Sequence, residues 1–364
     1  MNRLRATSEH PRRLVTVIVF FSLLSAIVVQ GKLPKPKRIL YQDLHPFGFI
    51  TEAHGRTIGS FTDINFLSND LLLVTVNTRM YGAVEPSFSD QPVSKLLLFD
   101  ISRGQLVKST EMPLEKAEGS VRATRGGQFV LLNESGLHLC SLELECGSPF
   151  LTRGPLFSSP QGTKIVVGGN AKTPQKVLDG DMKEVAQFPW GNPNVVPGDS
   201  GLLIRQDGKL YVRFAGRPDQ PLSFGGGGIW PEARFLNQET ISDFESDKAL
   251  TVARVDGTIL FRVPVTARWE LAEVTTAASG SRFCLHQAGY TSLNSIVNLL
   301  DIDNGRPFNF ESVSVISVDT GKILLEQRWD PRPYVGRLGA PALSPDGRKL
   351  AVVRKGFLEV YDAQ

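Results

Sequence analysis

The sequence predicts an all-β fold: a seven-bladed β-propeller whose ring is closed by an N-terminal strand that completes the last blade. Three observations lead there. Beyond Arg38, short runs of Val, Leu, Ile and Phe are cut by Gly, Asp, Asn and Ser at strand-length intervals, with no sustained helical period. A unit of strand, turn, strand, connection, strand, turn, strand recurs, with starts near Phe61, Gly119, Gly154, Asn192, Ile229, Glu270 and Pro331. The spacing averages about 45 residues, the period of a propeller blade. Finally, the last unit ends one strand short at "LEVYDAQ", while an unassigned β-like segment, "RILYQDLHPFGFITEA" (Arg38–Ala53), lies at the other end of the chain. Pairing Ile39–Leu44 or Phe47–Thr51 beside Phe357–Asp362 would close the ring and cover an edge.

Residues 1–37 are read as a separate leader and 38–364 as the propeller. Leu14–Val29, "LVTVIVFFSLLSAIVV", is sixteen residues free of charge, preceded by Arg12 and Arg13. A basic start and an apolar run of this length describe a secretory signal peptide or a membrane anchor, and export follows from either. The expected location is periplasmic, extracellular or anchored at a membrane, with membrane contact only through residues 14–29 if they are retained. The leader also carries the chain's basic excess. Of 40 basic and 37 acidic residues, the first 38 positions hold eight and one, leaving 32 and 36 in the body. A body near −4 has no electrostatic footprint for nucleic acid, so no nucleic-acid partner is expected.

Within the body, "SKLLLFDISRGQLVKSTEM" (Ser94–Met112), "QKVLDGDMKEVAQFPW" (Gln175–Trp190) and "VSVISVDTGKILLEQRW" (Val313–Trp329) each show an apolar strand ending in Asp, a tight turn and a second strand. Asp accepts from turn amides and Gly supplies positive φ. The other half of the unit is a polar turn followed by a hydrophobic strand, as in "FLSNDLLLVTV", "FSSPQGTKIVVGG" and "LSPDGRKLAVV". Such a sheet cannot bury both faces alone, whereas a radial ring of them does so.

The segments "SPDGRKLAVV" and "LEVYD" resemble the repeat of WD-repeat-like propellers, including the YVTN-type and Tol-system families of exported bacterial proteins. The resemblance is one of fold and spans Arg38–Gln364. No Gly-His pair opens a blade, and Trp329-Asp330 ends a fourth strand rather than a third. "SVDTGKILLEQRW" also resembles a blade motif of quinoprotein propellers, but it occurs once.

Two units carry long insertions between second and third strands, "NTRMYGAVEPSFSDQPV" (Asn77–Val93) and "QAGYTSLNSIVNLLDIDNGRPFNFES" (Gln287–Ser312). They belong to the first and sixth blades, which flank the seventh, so they are expected on one face. Arginine and aromatic side chains suit recognition. The candidate binding residues are therefore Arg79, Tyr81, Phe88, Tyr290, Asn294, Asp301, Asp303 and Arg306, for a protein or small ligand.

No catalytic set and no metal site is predicted. Asp301, Asp303 and Asn304 miss the spacing of a calcium loop. Gly225–Gly228 is followed after two residues by Pro231, with no helical period, and reads as a link between blades. His286 follows Cys284 at strand spacing, but no third orienting group is identifiable. Cys140 and Cys146 either close a small loop or pack as two thiols. No cofactor is expected. The function expected is a non-catalytic binding platform acting through loops on one face. The alternative, carried by fold analogy, is a propeller enzyme: a lactonase-like hydrolase or a quinone-dependent dehydrogenase.

Overall fold

Leu96, Leu97, Leu98 and Phe99 are consecutive in one strand and all are buried, which requires cover on both faces of that strand. The computed structural model shows how the cover arises. It describes residues 35–49 and 58–364, except 82–92, 114–119, 125, 134, 151–155, 160–161, 170–172, 189–193, 196–201, 207–208, 214–217, 223–232, 247–248, 266–267, 291–309 and 330–339. The chain divides into two compact units, Met1–Lys35 and Pro36–Gln364. All that follows concerns the second.

Its strands form antiparallel sheets in chain order. The first sheet holds β2 (Ile58–Phe66), β3 (Leu71–Tyr81), β4 (Val93–Asp100) and β5 (Gln105–Pro113). The second holds β6 (Ser120–Ala123), β7 (Phe129–Asn133) and β8 (Gly136–Cys140). Next come β9 (Leu156–Ser158), β10 (Lys164–Val167), β11 (Gln175–Asp179) and β12 (Glu184–Phe188), and then β13 (Asn194–Val195), β14 (Leu202–Gln206), β15 (Lys209–Arg213) and β16 (Gln220–Pro221). The fifth sheet is β17 (Arg234–Phe235), β18 (Thr240–Ser246), β19 (Ala249–Arg254) and β20 (Ile259–Pro264). The sixth is β21 (Arg268–Thr276), β22 (Arg282–Tyr290), β23 (Phe310–Ser317) and β24 (Ile323–Trp329). The last combines both ends of the body: β25 (Ala342–Leu343), β26 (Lys349–Arg354), β27 (Phe357–Asp362) and, on the outside, β1 (Lys37–Asp43).

Side-chain alternation then joins each sheet to two neighbours. On β4, Leu97 and Phe99 enter a cluster with Ala351, Val353, Leu358 and Val360 of the last sheet. Leu96 and Leu98 point the other way, to Val121, Phe129 and Leu131. Further clusters join the second sheet to the third through Val130 and Ile165, the third to the fourth through Phe188 and Tyr211, and the fourth to the fifth through Leu210 and Phe235. Phe244 and Phe283 bring together the fifth and sixth. Val315 and Val352 join the sixth to the last. The cycle of packed interfaces returns to its start, which is the packing of a β-propeller.

The expectation of seven four-stranded blades is corrected: among the described residues, six sheets are complete four-stranded blades, and the sheet at Ser120–Cys140 has three strands. The reason is local. "CSLELEC" alternates like a strand, but a Cys140–Cys146 disulfide folds it back, and Leu144 adopts a left-handed φ of 58°. Among the described residues, isolated bridges, Leu137 to Phe150 and Cys140 to Cys146, stand where a fourth ladder would run.

β1 pairs antiparallel with β27 from Lys37 opposite Asp362 to Asp43 opposite Phe357. A short 3₁₀ turn, His45–Phe47, then folds over the β26–β27 turn, where the Leu44 N–H donates to the Gly356 carbonyl at 2.7 Å. Gly356 has φ +79°, and a Cβ there would meet the His45 ring at 2.3 Å. Gly356→Ala is therefore expected to cost about 1–3 kcal/mol in chemical denaturation. Gly104→Ala, also at positive φ but facing open space, should cost less; equal losses would refute the close-approach argument.

Candidate functional site

Antiparallel order fixes which connections share a face. In each blade the turns after the first and third strands lie at one end. The connection after the second strand, and the link to the next blade, lie at the other. Residues 82–92 follow β3 and residues 291–309 follow β22, each the second strand of its sheet. The two sheets flank the last one, which packs on both of them. Arg79 and Tyr81 lie in the final turn-ward residues of β3, and Tyr290 ends β22 opposite Arg268. Phe88, Asn294, Asp301, Asp303 and Arg306 lie outside the described residues.

Between the roots of those insertions, the last sheet presents its β26–β27 turn, Lys355–Gly356, and the β1 exit. Asp43 Oδ1 accepts from the His45 backbone N–H at 2.9 Å and lies 2.6 Å from the ring Nδ1. These bonds, the backbone one foremost, hold the Asp43 carboxyl below its usual range. The His45 ring meets Phe49 and Phe357 edge-on at 5.9 and 5.5 Å. Phe357 stacks on Tyr41 at 4.9 Å, and Arg38 lies over the Tyr41 ring. This is an aromatic and cationic rim of the kind that serves recognition.

Deeper, between the sixth sheet and the last, lies a buried polar cluster. His286 Nε2 is 3.0 Å from Glu311 Oε1, with side chains 1% and 5% exposed. Arg354 approaches Glu311 Oε2 at 3.8 Å and lies over the Trp329 ring. Trp329 in turn neighbours Tyr361. The Tyr361 hydroxyl donates to Glu359; burial first, and this carboxylate second, push its ionisation well above the usual range. Among the described residues, His286 Nδ1 and Glu311 Oε2 have no hydrogen-bond partner.

Glu311 is thus the orienting group that the sequence did not give for Cys284 and His286. It does not complete a nucleophilic set. Cys284 is fully buried, and burial, then the charge of Glu273, raise its thiol well above the usual value. A thiol that stays protonated is not a nucleophile. Among the described residues, no group of three or more His, Cys, Asp or Glu is placed to hold a metal ion.

No family model and no curated protein matches the chain. Among solved structures, it is similar to the C-terminal WD40 domain of Sif2, at 12% identity and a TM-score of 0.46, over 91% of this chain and 99% of that one. The WD-repeat-like resemblance is one of fold, and the propeller itself rests on the cyclic sheet packing described above.

Other residues single out turns rather than sites. Asp100 Oδ1 accepts from Ser102 Oγ and the Arg103 N–H, and Asp179 Oδ1 accepts from the Asp181 and Lys183 N–H groups. These are the turn roles their sequence position predicts. His138 bridges the Ser135 hydroxyl and the Gly147 carbonyl. Gly225–Gly228 lies outside the described residues, and no helix among the described residues is long and apolar enough to cross a membrane.

Proposed function

We propose that this chain is an exported or membrane-anchored propeller that acts as a non-catalytic binding platform. The binding residues are those of the two insertions, with Arg79, Tyr81 and Tyr290 at their roots and Phe88, Asn294, Asp301, Asp303 and Arg306 within them. One observation carries the reading: both long connections leave second strands of the two sheets that flank the last one, so their roots lie at the same end of the ring with one blade between them. Insertions of this length in a compact domain usually serve function. In the same reading, the three-stranded sheet occupies a seventh blade position, and β1 is the clasp that keeps the ring shut. β1 starts opposite the end of β27, at the other end of its sheet from the insertion roots. A partner would therefore be met on the side away from the chain's entry.

The test replaces residues 82–92 by a short Asn-Gly turn, which suits a two-residue hairpin. The variant is expected to melt like the parent and to lose the partner captured by the parent from membrane and periplasmic or secreted fractions. Capture that survives the replacement would overturn the assignment of the face.

A further inference from the structure

We propose that the Cys140–Cys146 disulfide is a redox-sensitive pin, whose reduction releases the strap 141–150 from the outer edge of the incomplete blade. The strap lies where the other blades carry a fourth strand. It is held to β8 by three main-chain bonds: the Leu137 N–H to Phe150 O at 3.0 Å, the Phe150 N–H to Leu137 O at 2.7 Å, and the Gly147 N–H to Leu139 O at 3.0 Å. That is a sparse ladder beside the one in the first blade, where β5 follows β4 along its full length, and it is comparable with the two-pair β15–β16 ladder of the fourth.

One feature favours opening once the pin is removed, and another favours its removal. Leu144 is held at φ 58°, a conformation costly for a bulky side chain, inside the loop that the disulfide closes. The sulfur of Cys140 is buried, whereas Cys146 is partly exposed at the surface. An incoming thiolate therefore reaches Cys146 first. A dithiol attacks Cys146 Sγ, and Cys140 Sγ leaves as a thiolate and takes up a proton. The second thiol of the reagent then closes on its own sulfur and releases Cys146 as a thiol. The protein gains two electrons and two protons, and the dithiol becomes a cyclic disulfide.

Release of the strap withdraws Leu144 and Phe150 from the two flanking interfaces and loosens the Lys108–Glu143 pair. Opening nevertheless remains local, because the pin bridges residues of one blade only and Phe129, Leu131, Val130 and Ile165 still fill those interfaces. Amide hydrogen exchange on the full chain, with and without dithiothreitol, tests this. On reduction, the amides of Leu137, Gly147 and Phe150 should exchange about tenfold faster or more, while those of β7 and β3 keep their protection. The Cys140→Ala/Cys146→Ala variant should show the released pattern without reductant. Unchanged exchange at those three amides, or acceleration spread evenly over all sheets, would overturn the proposal. So would a double variant indistinguishable from the oxidised parent.

Discussion

A chain that begins at residue 54 is expected to melt about 5 °C below one that begins at residue 36. The second truncation removes only the leader, so the difference isolates β1 and the turn after it. That segment brings Leu40, Leu44 and Phe49 into the cluster between the last sheet and the first, each less than a tenth exposed. It also covers the outer edge of β27 over six residue pairs. Without it, Leu358 and Val360 lose apolar neighbours and the Gly356 carbonyl loses the Leu44 N–H. A loss of about 3–4 kcal/mol, within the range of one or two large core truncations, corresponds to roughly 5 °C for a domain of this length. Calorimetry on the two truncations decides it. Equal midpoints would show that β1 contributes nothing to keeping the ring shut.

The repeat was legible because each blade is buried on both faces and leaves an apolar run at every inner strand. The units begun at Phe61, Gly119, Gly154, Asn192 and Glu270 contain β2, β6, β9, β13 and β21 at or within two or three residues of those starts. Ile229 and Pro331 precede their first strands by more, because β17 and β25 are only two residues long and carry little pattern. What hid the incomplete blade was "CSLELEC". Its alternation is that of a strand, and neither the left-handed Leu144 nor the pairing of its cysteines follows from composition. Glu311 was hidden for a different reason. It stands across an insertion from His286, and only strand register, with Glu311 opposite Ala288 and Val313 opposite His286, brings the two together. Aligning β22 with β23 outward from the "SVDTGK" turn would have placed them on one face. The aromatic rim at His45 and Phe357 required knowledge that the two termini meet.

That buried cluster is where a single substitution should be felt most. Glu311→Ala is expected to cost about 3–5 kcal/mol in chemical denaturation, the range for removing one partner of a buried charged pair. The physical cause is what stays behind. His286 would be left with neither ring nitrogen bonded among the described residues, since Nδ1 already lacks a partner there and Nε2 bonds Glu311. Arg354 would lose the carboxylate that faces its guanidinium. Glu311→Gln retains an acceptor for His286 while removing the charge, so it should cost less. The triple variant His286→Phe, Glu311→Leu, Arg354→Met removes donors and acceptor together. It should recover much of the stability, because no buried polar group of the cluster is then stranded. The order of the three variants is the test: alanine worst, glutamine intermediate, the apolar triple best. If Glu311→Ala costs less than about 1 kcal/mol, the Glu311–Arg354 contact does not join the sixth sheet to the last, and the apolar contacts around Val313, Val315 and Val352 carry that interface alone.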